Sequence, residues 1–322
     1  MGTWTNPVGS DEVIWSDGMR DIVAFDHPQP LTQDVARSRI HPDDLPAWLQ
    51  ARLTAIGLRP ISALVDITNF FTFALNRPLH VFDADTVKGG TLRIHPAQGG
   101  EELLALDGKT YTIQPGMMLI SDDAGPESLA GIMGGEVSGC TADTVNVFLE
   151  SAYWDPITVA TTGRALRINS DARYRFERGV DPAFTLPGLE LATQMILDLC
   201  GGEASDIAVD GTAPDTTRAY RLDTARVISL VGMDIPAEDQ RRTLQALGFT
   251  LDGDMATPPS WRPDVLGEAD LVEEVARIAS LTKLQGKPLP RRQAGRRQLR
   301  HHQARRHGRA GLPLHGGRAD AL

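Results

Sequence analysis

Cysteine is nearly missing from the 322-residue sequence, which has only Cys140 and Cys200. Two cysteines are too few for a disulfide framework and lack the CxxC spacing of a zinc knuckle or redox pair. A hydrophobic core must therefore hold the fold, and a reducing, cytoplasmic compartment fits. No apolar run approaches the roughly 18 residues of a membrane span. The first residues, MGTWTNPVGSDEVIWSDGMRD, carry acids where a signal peptide would be basic and then apolar, so a soluble protein is expected. Acids are in turn scarce at the other end. Residues 281–322 hold one, Asp320, against 11 Lys and Arg, so the net charge of −10 combines an acidic body with a basic tail. Such a body argues against nucleic-acid binding by the whole surface but allows a local basic track.

What is present is enough for two or three domains, because 41% of the residues are hydrophobic. Residues 1–42 show no sustained period and read as a poorly ordered lead-in. From DDLPAWLQARLTAIGLRP, Asp43 or Asp44 caps a helix whose stripe is Trp48, Leu49, Arg52, Leu53 and Ile56, and Gly57 stops it. ISALVDITNFFTFALN repeats its apolar positions near 3.6 and predicts a buried helix ending at Asn76. TLRIH, ELLALDGKTYTI and MMLISD then predict short strands, with a hairpin at Asp107-Gly108. SLAGIMGGEVSG carries four glycines suited to tight turns or to close approach of a ligand. VNVFLESAYW predicts a strand ending at Glu150, Asp155-Pro156 a helix start, and DPAFTLPGLELATQMILDLCGG a helix. Residues 43–212 thus form an α+β domain with a mixed sheet.

Residues 213–290 predict two short helices, strands at FTLDG and MATPPSWRPD, and a last helix at EADLVEEVARIAS, a small winged-helix-like α+β module. Residues 291–322 lack large apolar side chains and are expected to be disordered. They read either as an RNA-binding tail or as translation out of frame. His80 in NRPLHVFDADT, with Asp83 and Asp85 close behind, offers nitrogen and oxygen donors for a metal, a catalytic imidazole, or ordinary packing between Pro78 and Phe82.

GLRPISALVDITNFF, NRPLHVFD, LLALDGK, LAGIMGGEVSG, NVFLESAYWDP, INSDARYRFERGVDP and SWRPDVLGEADLVEEVARI, in that order, carry a resemblance. Over residues 47–210 the chain resembles the editing domain of bacterial phenylalanyl-tRNA synthetase β subunits. Over 219 to about 290 it resembles the winged-helix-like domain that follows it. The N-terminal tRNA-binding module, the synthetase-like domain and the anticodon-binding domain have no counterpart, so a truncated or frameshifted copy is expected. The family implies hydrolysis of tyrosine wrongly esterified to tRNA(Phe), within an α2β2 enzyme that ligates phenylalanine to that tRNA with ATP and magnesium. It places the ATP site on the α subunit. The rival readings are a noncatalytic tRNA- or partner-binding module and a remnant without function.

The same resemblance assigns residues. Glu150 matches the pocket glutamate that accepts the tyrosine phenol; as a bare sequence feature it is a surface acid at a strand end. His80 matches the editing-site histidine, without being established as a general base. Arg59 falls near the tRNA 3′ end, or else in a helix-junction salt bridge. Thr68 and Asn69 would bond the amino acid, although Asn69 equally suits a structural cap. Gly131, Gly134 and Gly135 would form one wall; Ser170, Asp171 and Ala172 would form a second, Ser170 standing where the family often has threonine. Asp83 and Asp85 belong to a turn leading away from the pocket. Asp264, Asp270, Glu273 and Glu274 match the acids that bind Mg2+ shared with the α subunit. Three of these fall at i, i+3 and i+4, and they equally suit an acidic first turn favoured by the helix dipole.

Overall fold

The computed structural model describes residues 4–5, 14–15, 45–284 and 286. Two compact units divide the chain, Met1–Ala279 and Ser280–Leu322. The expectation for 291–322 falls outside the described residues, as does most of 1–42. Within that lead-in, β1 (Trp4–Thr5) pairs antiparallel with β2 (Ile14–Trp15), a contact that no sequence period announces.

Three helices build the first core. α1 (Leu45–Ala55) buries Leu49 and Leu53 against α2 (Ala63–Leu75), where Ile67, Phe70 and Phe71 face inward. Ser62 caps α2 by accepting a hydrogen bond from the Val65 N–H. Asn76 ends it at φ 51°, a left-handed residue of the kind asparagine tolerates. The Trp48 and Phe70 rings meet at 5.5 Å. The third helix, described below as α5, closes this core through Ala192.

The chain then enters β3 (His80–Asp83), a strand that the sequence periodicity does not reveal. β4 (Arg93–Pro96), β5 (Glu102–Leu104), β6 (Thr110–Thr112), β7 (Met118–Ser121), β8 (Pro126–Leu129), β9 (Met133–Gly134) and β10 (Val147–Glu150) follow. They form small antiparallel sheets: β4-β7-β8-β9, the β5-β6 hairpin around Asp107-Gly108, and a ribbon of β10 with β3. Phe82, Leu103, Ile113, Leu119, Leu129 and Ile168 fill the central core beneath them. α3 (Pro156–Leu166) starts at Asp155, whose carboxylate accepts from the Thr158 N–H. α4 (Asp171–Phe176) starts at Ser170, and α5 (Thr185–Cys200) runs to Gly201.

Beyond residue 219 come β11 (Tyr220–Arg221), α6 (Thr224–Val231), α7 (Ala237–Ala246), β12 (Thr250–Asp252), β13 (Met255–Thr257) and α8 (Glu268–Ala279). They surround a separate core of Val227, Leu244, Phe249, Leu271 and Val275. The predicted helix, helix, hairpin, helix order is present. The second hairpin strand is shorter than MATPPSWRPD, because its prolines cannot donate ladder hydrogen bonds, and residues 258–267 form a loop instead. The chain is α+β throughout. Among the described residues, no helix is long and apolar enough to cross a membrane.

Candidate functional site

Antiparallel pairing of β3 with β10 fixes the centre of the site. Its register places Val147 opposite Asp83, Phe148 opposite Phe82, Leu149 opposite Val81, and Glu150 opposite His80. Directly opposed residues project on the same face, with Cβ atoms roughly 5 Å apart. Two residues separated by 70 positions in sequence are thereby made neighbours. Phe82 lies beneath them on that face, its ring 4.4 Å from the His80 ring in an edge-on arrangement and 6.2 Å from Phe148.

Both residues are half-buried, with their polar groups turned into the fold. His80 Nε2 is buried and has no hydrogen-bond partner among the described residues. Burial pushes its imidazole down to about 4, so the ring is neutral throughout the physiological range. Burial likewise pushes the Glu150 carboxyl up to about 7, only partly opposed by the Trp154 indole N–H. That N–H is itself buried and lies near the carboxyl without closing a hydrogen bond of ordinary length and angle. A neutral imidazole, a carboxyl poised near neutrality and an indole N–H facing it thus lie around one strand end.

Glycines allow this crowding. Gly131, at φ 68°, has no side chain because a Cβ there would stand 2.6 Å from Trp154 Cδ1. A Cβ on Gly134 would stand 2.5 Å from His80 Nε2, and one on Gly135 would stand 2.7 Å from the Glu127 carbonyl oxygen. Gly131 and Gly134 therefore let Trp154 and His80 pack closely against this loop.

Ser170 is likewise engaged. Its hydroxyl donates to the Ile132 carbonyl at 2.6 Å and accepts from the Arg173 N–H at 3.1 Å, tying the start of α4 to the glycine loop. Ala172 packs against the central core. Asp171 accepts from Arg175. Thr68 and Asn69 are half-buried on α2, which packs against β3, and the Thr68 hydroxyl donates to the Val65 carbonyl. Arg59 is exposed, four residues before α2 begins. Asp83 accepts from the Asp85 N–H and from the Thr144 hydroxyl, and Asp85 accepts from Asn146, which is local turn chemistry.

Sequence reasoning passed over Arg77. It is fully buried, donating to the carbonyls of Ala152 and Asp181, and burial lowers its guanidinium to about 10. An Arg-Pro pair directly after a helix cap was the available signal. Trp154 was also passed over. Its ring bounds an apolar cavity of about 180 Å³ with Met118, Ala130, Asp155, Thr158, Val159 and Thr162. Neither His80 nor Glu150 lines that cavity.

Of the four acids expected in the second region, only Asp264 and Glu274 converge, and they do so on an arginine. Asp264 and Glu274 both accept hydrogen bonds from Arg262, and Glu274 also accepts from Arg277. Asp270 accepts from the Leu266 N–H, and Glu273 is exposed. Among the described residues, no group of three or more His, Cys, Asp or Glu is placed to hold a metal ion. As arranged, these residues do not fit the magnesium ion that the resemblance implies, because Asp264 and Glu274 are directed at a guanidinium and Asp270 and Glu273 do not join them in a cluster.

Comparison with known proteins places this geometry. The B3/4 domain family matches residues 36–201, and the tRNA synthetase B5 domain matches residues 220–280. A phenylalanine--tRNA ligase beta subunit from Cereibacter sphaeroides is 78% identical over 250 residues, covering 78% of this chain and 31% of that protein. The chain belongs to the phenylalanine-tRNA ligase β-subunit family. Another β subunit of this family, from Ruegeria pomeroyi, is 73% identical over 246 residues, with 76% of this chain and 31% of that protein covered. The corresponding figures for the Paramagnetospirillum magneticum β subunit are 57% over 252 residues, with 77% and 32% covered. The chain thus spans about a third of the length of the ligase β subunits it matches. The His80–Glu150 ribbon lies in the B3/4 part, and the Arg262 acids lie in the B5 part.

Proposed function

We propose that the His80–Glu150 site hydrolyses tyrosine esterified to tRNA(Phe). One observation carries the reading: the strand register places a carboxyl poised near neutrality beside an imidazole whose Nε2 is buried and unpaired among the described residues. Leaving such groups without partners costs stability, and a ligand that completes them recovers the loss. Tyrosine offers a phenol that can donate to the Glu150 carboxylate or accept from its acid form. Phenylalanine offers nothing, and binding it would leave the carboxyl unpaired and dry. This is the asymmetry by which a site built around a hydrogen bond rejects the analogue that lacks one.

His80 acts on the other end of the substrate. An imidazole at about 4 is a weak base at neutral pH, so its contribution is positioning: neutral Nε2 accepts a hydrogen bond from the attacking water or orients the ester. Water adds to the ester carbonyl carbon, the bond to the ribose oxygen breaks, and the proton passes to that oxygen, giving free tyrosine and uncharged tRNA. Thr68 and Asn69 on α2 would hold the amino acid, and exposed Arg59 a phosphate of the tRNA end. In a complete β subunit this step would accompany phenylalanine ligation by an α2β2 assembly in the cytoplasm, with ATP bound by the α subunit.

Deacylation of Tyr-tRNA(Phe) by the chain, with Glu150→Gln and His80→Gln as controls, is the test. Hydrolysis that both substitutions reduce supports the reading. Hydrolysis at the same rate in all three proteins, or in none, overturns it.

A further inference from the structure

The acids at the start of α8 pose a separate question: what cation do they hold? Arg262 Nε donates to Asp264 Oδ1 at 2.9 Å, and Arg262 Nη2 donates to Asp264 Oδ2 at 2.6 Å. The same Nη2 donates to Glu274 Oε1 at 3.0 Å, while Nη1 donates to Glu274 Oε2 at 3.0 Å. One guanidinium therefore forks onto two carboxylates at once. Arg277 Nη2 adds a bond to Glu274 Oε2 at 2.6 Å, and one oxygen of Asp270 is taken by the Leu266 N–H at 2.8 Å. The Glu274 side chain is 7% exposed, so its charge requires a partner.

We infer that Arg262 is the resident cation of this acidic motif, and that a divalent ion binds there only by displacing it. The geometry favours the guanidinium for three reasons. Its planar fork donates a separate hydrogen bond to each oxygen of both carboxylates. It is covalently tethered, so its effective concentration at the acids is in the millimolar range or above, whatever the bulk solution contains. Magnesium, by contrast, gives up its water reluctantly and demands octahedral oxygens at about 2.1 Å.

Arg262 is also held from behind. Arg218 donates to the Arg262 and Val265 carbonyls, fixing the loop that presents the guanidinium. The result is a closed clamp that fastens α8 to residues 262–266. It rests on the B5 residues alone and is independent of the hydrolysis proposed for the B3/4 part.

Manganese serves as a paramagnetic probe for a hard divalent cation at oxygen ligands. Its uptake by the whole chain is read from loss of the free-ion electron paramagnetic resonance signal. A Glu274→Gln variant defines the part that depends on this motif. The expected result is no Glu274-dependent uptake by the unmodified chain, and uptake about tenfold tighter or more in Arg262→Met. Arg262→Lys, which retains a charge but not the fork, replaces Arg262→Met should circular dichroism show that variant unfolded, with the same direction expected. Glu274-dependent uptake by the unmodified chain overturns the inference. So does its absence from both Arg262 variants.

Discussion

The β3–β10 ribbon and the loop entering α8 treat buried charge in opposite ways. At the ribbon, His80 Nε2 and Trp154 Nε1 are buried without partners, and Glu150 is driven toward its neutral form. At the loop, Glu274 is as secluded but accepts from two arginines, which hold its carboxyl below the usual range despite its burial. Satisfied polar networks fix structure, whereas unsatisfied buried groups cost stability. Acidic residues in a sequence point equally to either outcome, and only their partners separate the two.

The comparison breaks most visibly at Arg262. Arg262→Met leaves Glu274 with Arg277 alone and should destabilise the chain by about 3 kcal/mol, as expected when one partner of a buried ion pair is removed. Chemical denaturation measures this, and Tyr-tRNA hydrolysis below the melting range should be unchanged. Glu150→Gln is the converse. It should lower that hydrolysis about 100-fold in a single-turnover deacylation assay, without loss of stability at neutral pH.

The pH dependence sharpens the contrast. A carboxyl raised to about 7 in the fold contributes stability below its ordinary value of 4.5, and loses it as pH rises through 7. An imidazole lowered to about 4 contributes stability above 6.5, and loses it as pH falls through 4. The two slopes oppose each other between about 4.5 and 6.5. In Glu150→Gln only the histidine slope survives, so its stability relative to the unmodified chain should rise with pH by on the order of 2 kcal/mol. Thermal melts at pH 4.5 and 8 measure it, and equal differences at both values would refute the assignment. A smaller effect is expected from Gly134→Ala, whose methyl displaces the His80 ring and should slow hydrolysis about tenfold. Ser170→Ala removes the α4 cap and should cost about 1 kcal/mol in denaturant titration.

Most of the helices were legible because their ends are written locally, whereas the six residues of α4 were not. Ser62, Asp155 and Asp223 cap them at the start, and Asn76 and Gly232 close them in left-handed conformations. The hairpin at Asp107-Gly108 was equally plain. β3 was not, since four residues around an aspartate show too little alternation to distinguish a strand from a turn. The opposition of His80 and Glu150 could not be read from periodicity, which encodes a face but not a partner strand. Their pairing was instead expected from the family motifs. Arg262 stands two residues from Asp264 in plain sight, yet nothing in SWRPD announces that its guanidinium reaches Glu274 a dozen positions on.

Arg77 and Asp181 link these regions mechanically. The Asp181 carbonyl accepts from buried Arg77, while its carboxylate accepts from the Ser260 hydroxyl at 2.9 Å, two residues before Arg262. The helical core, the central sheets and the B5 loop therefore share a single junction. Opening that junction would expose backbone amides on both sides together. Protection against hydrogen exchange near residue 181 should then track protection near residue 260, making the two parts one cooperative unit rather than beads on a string.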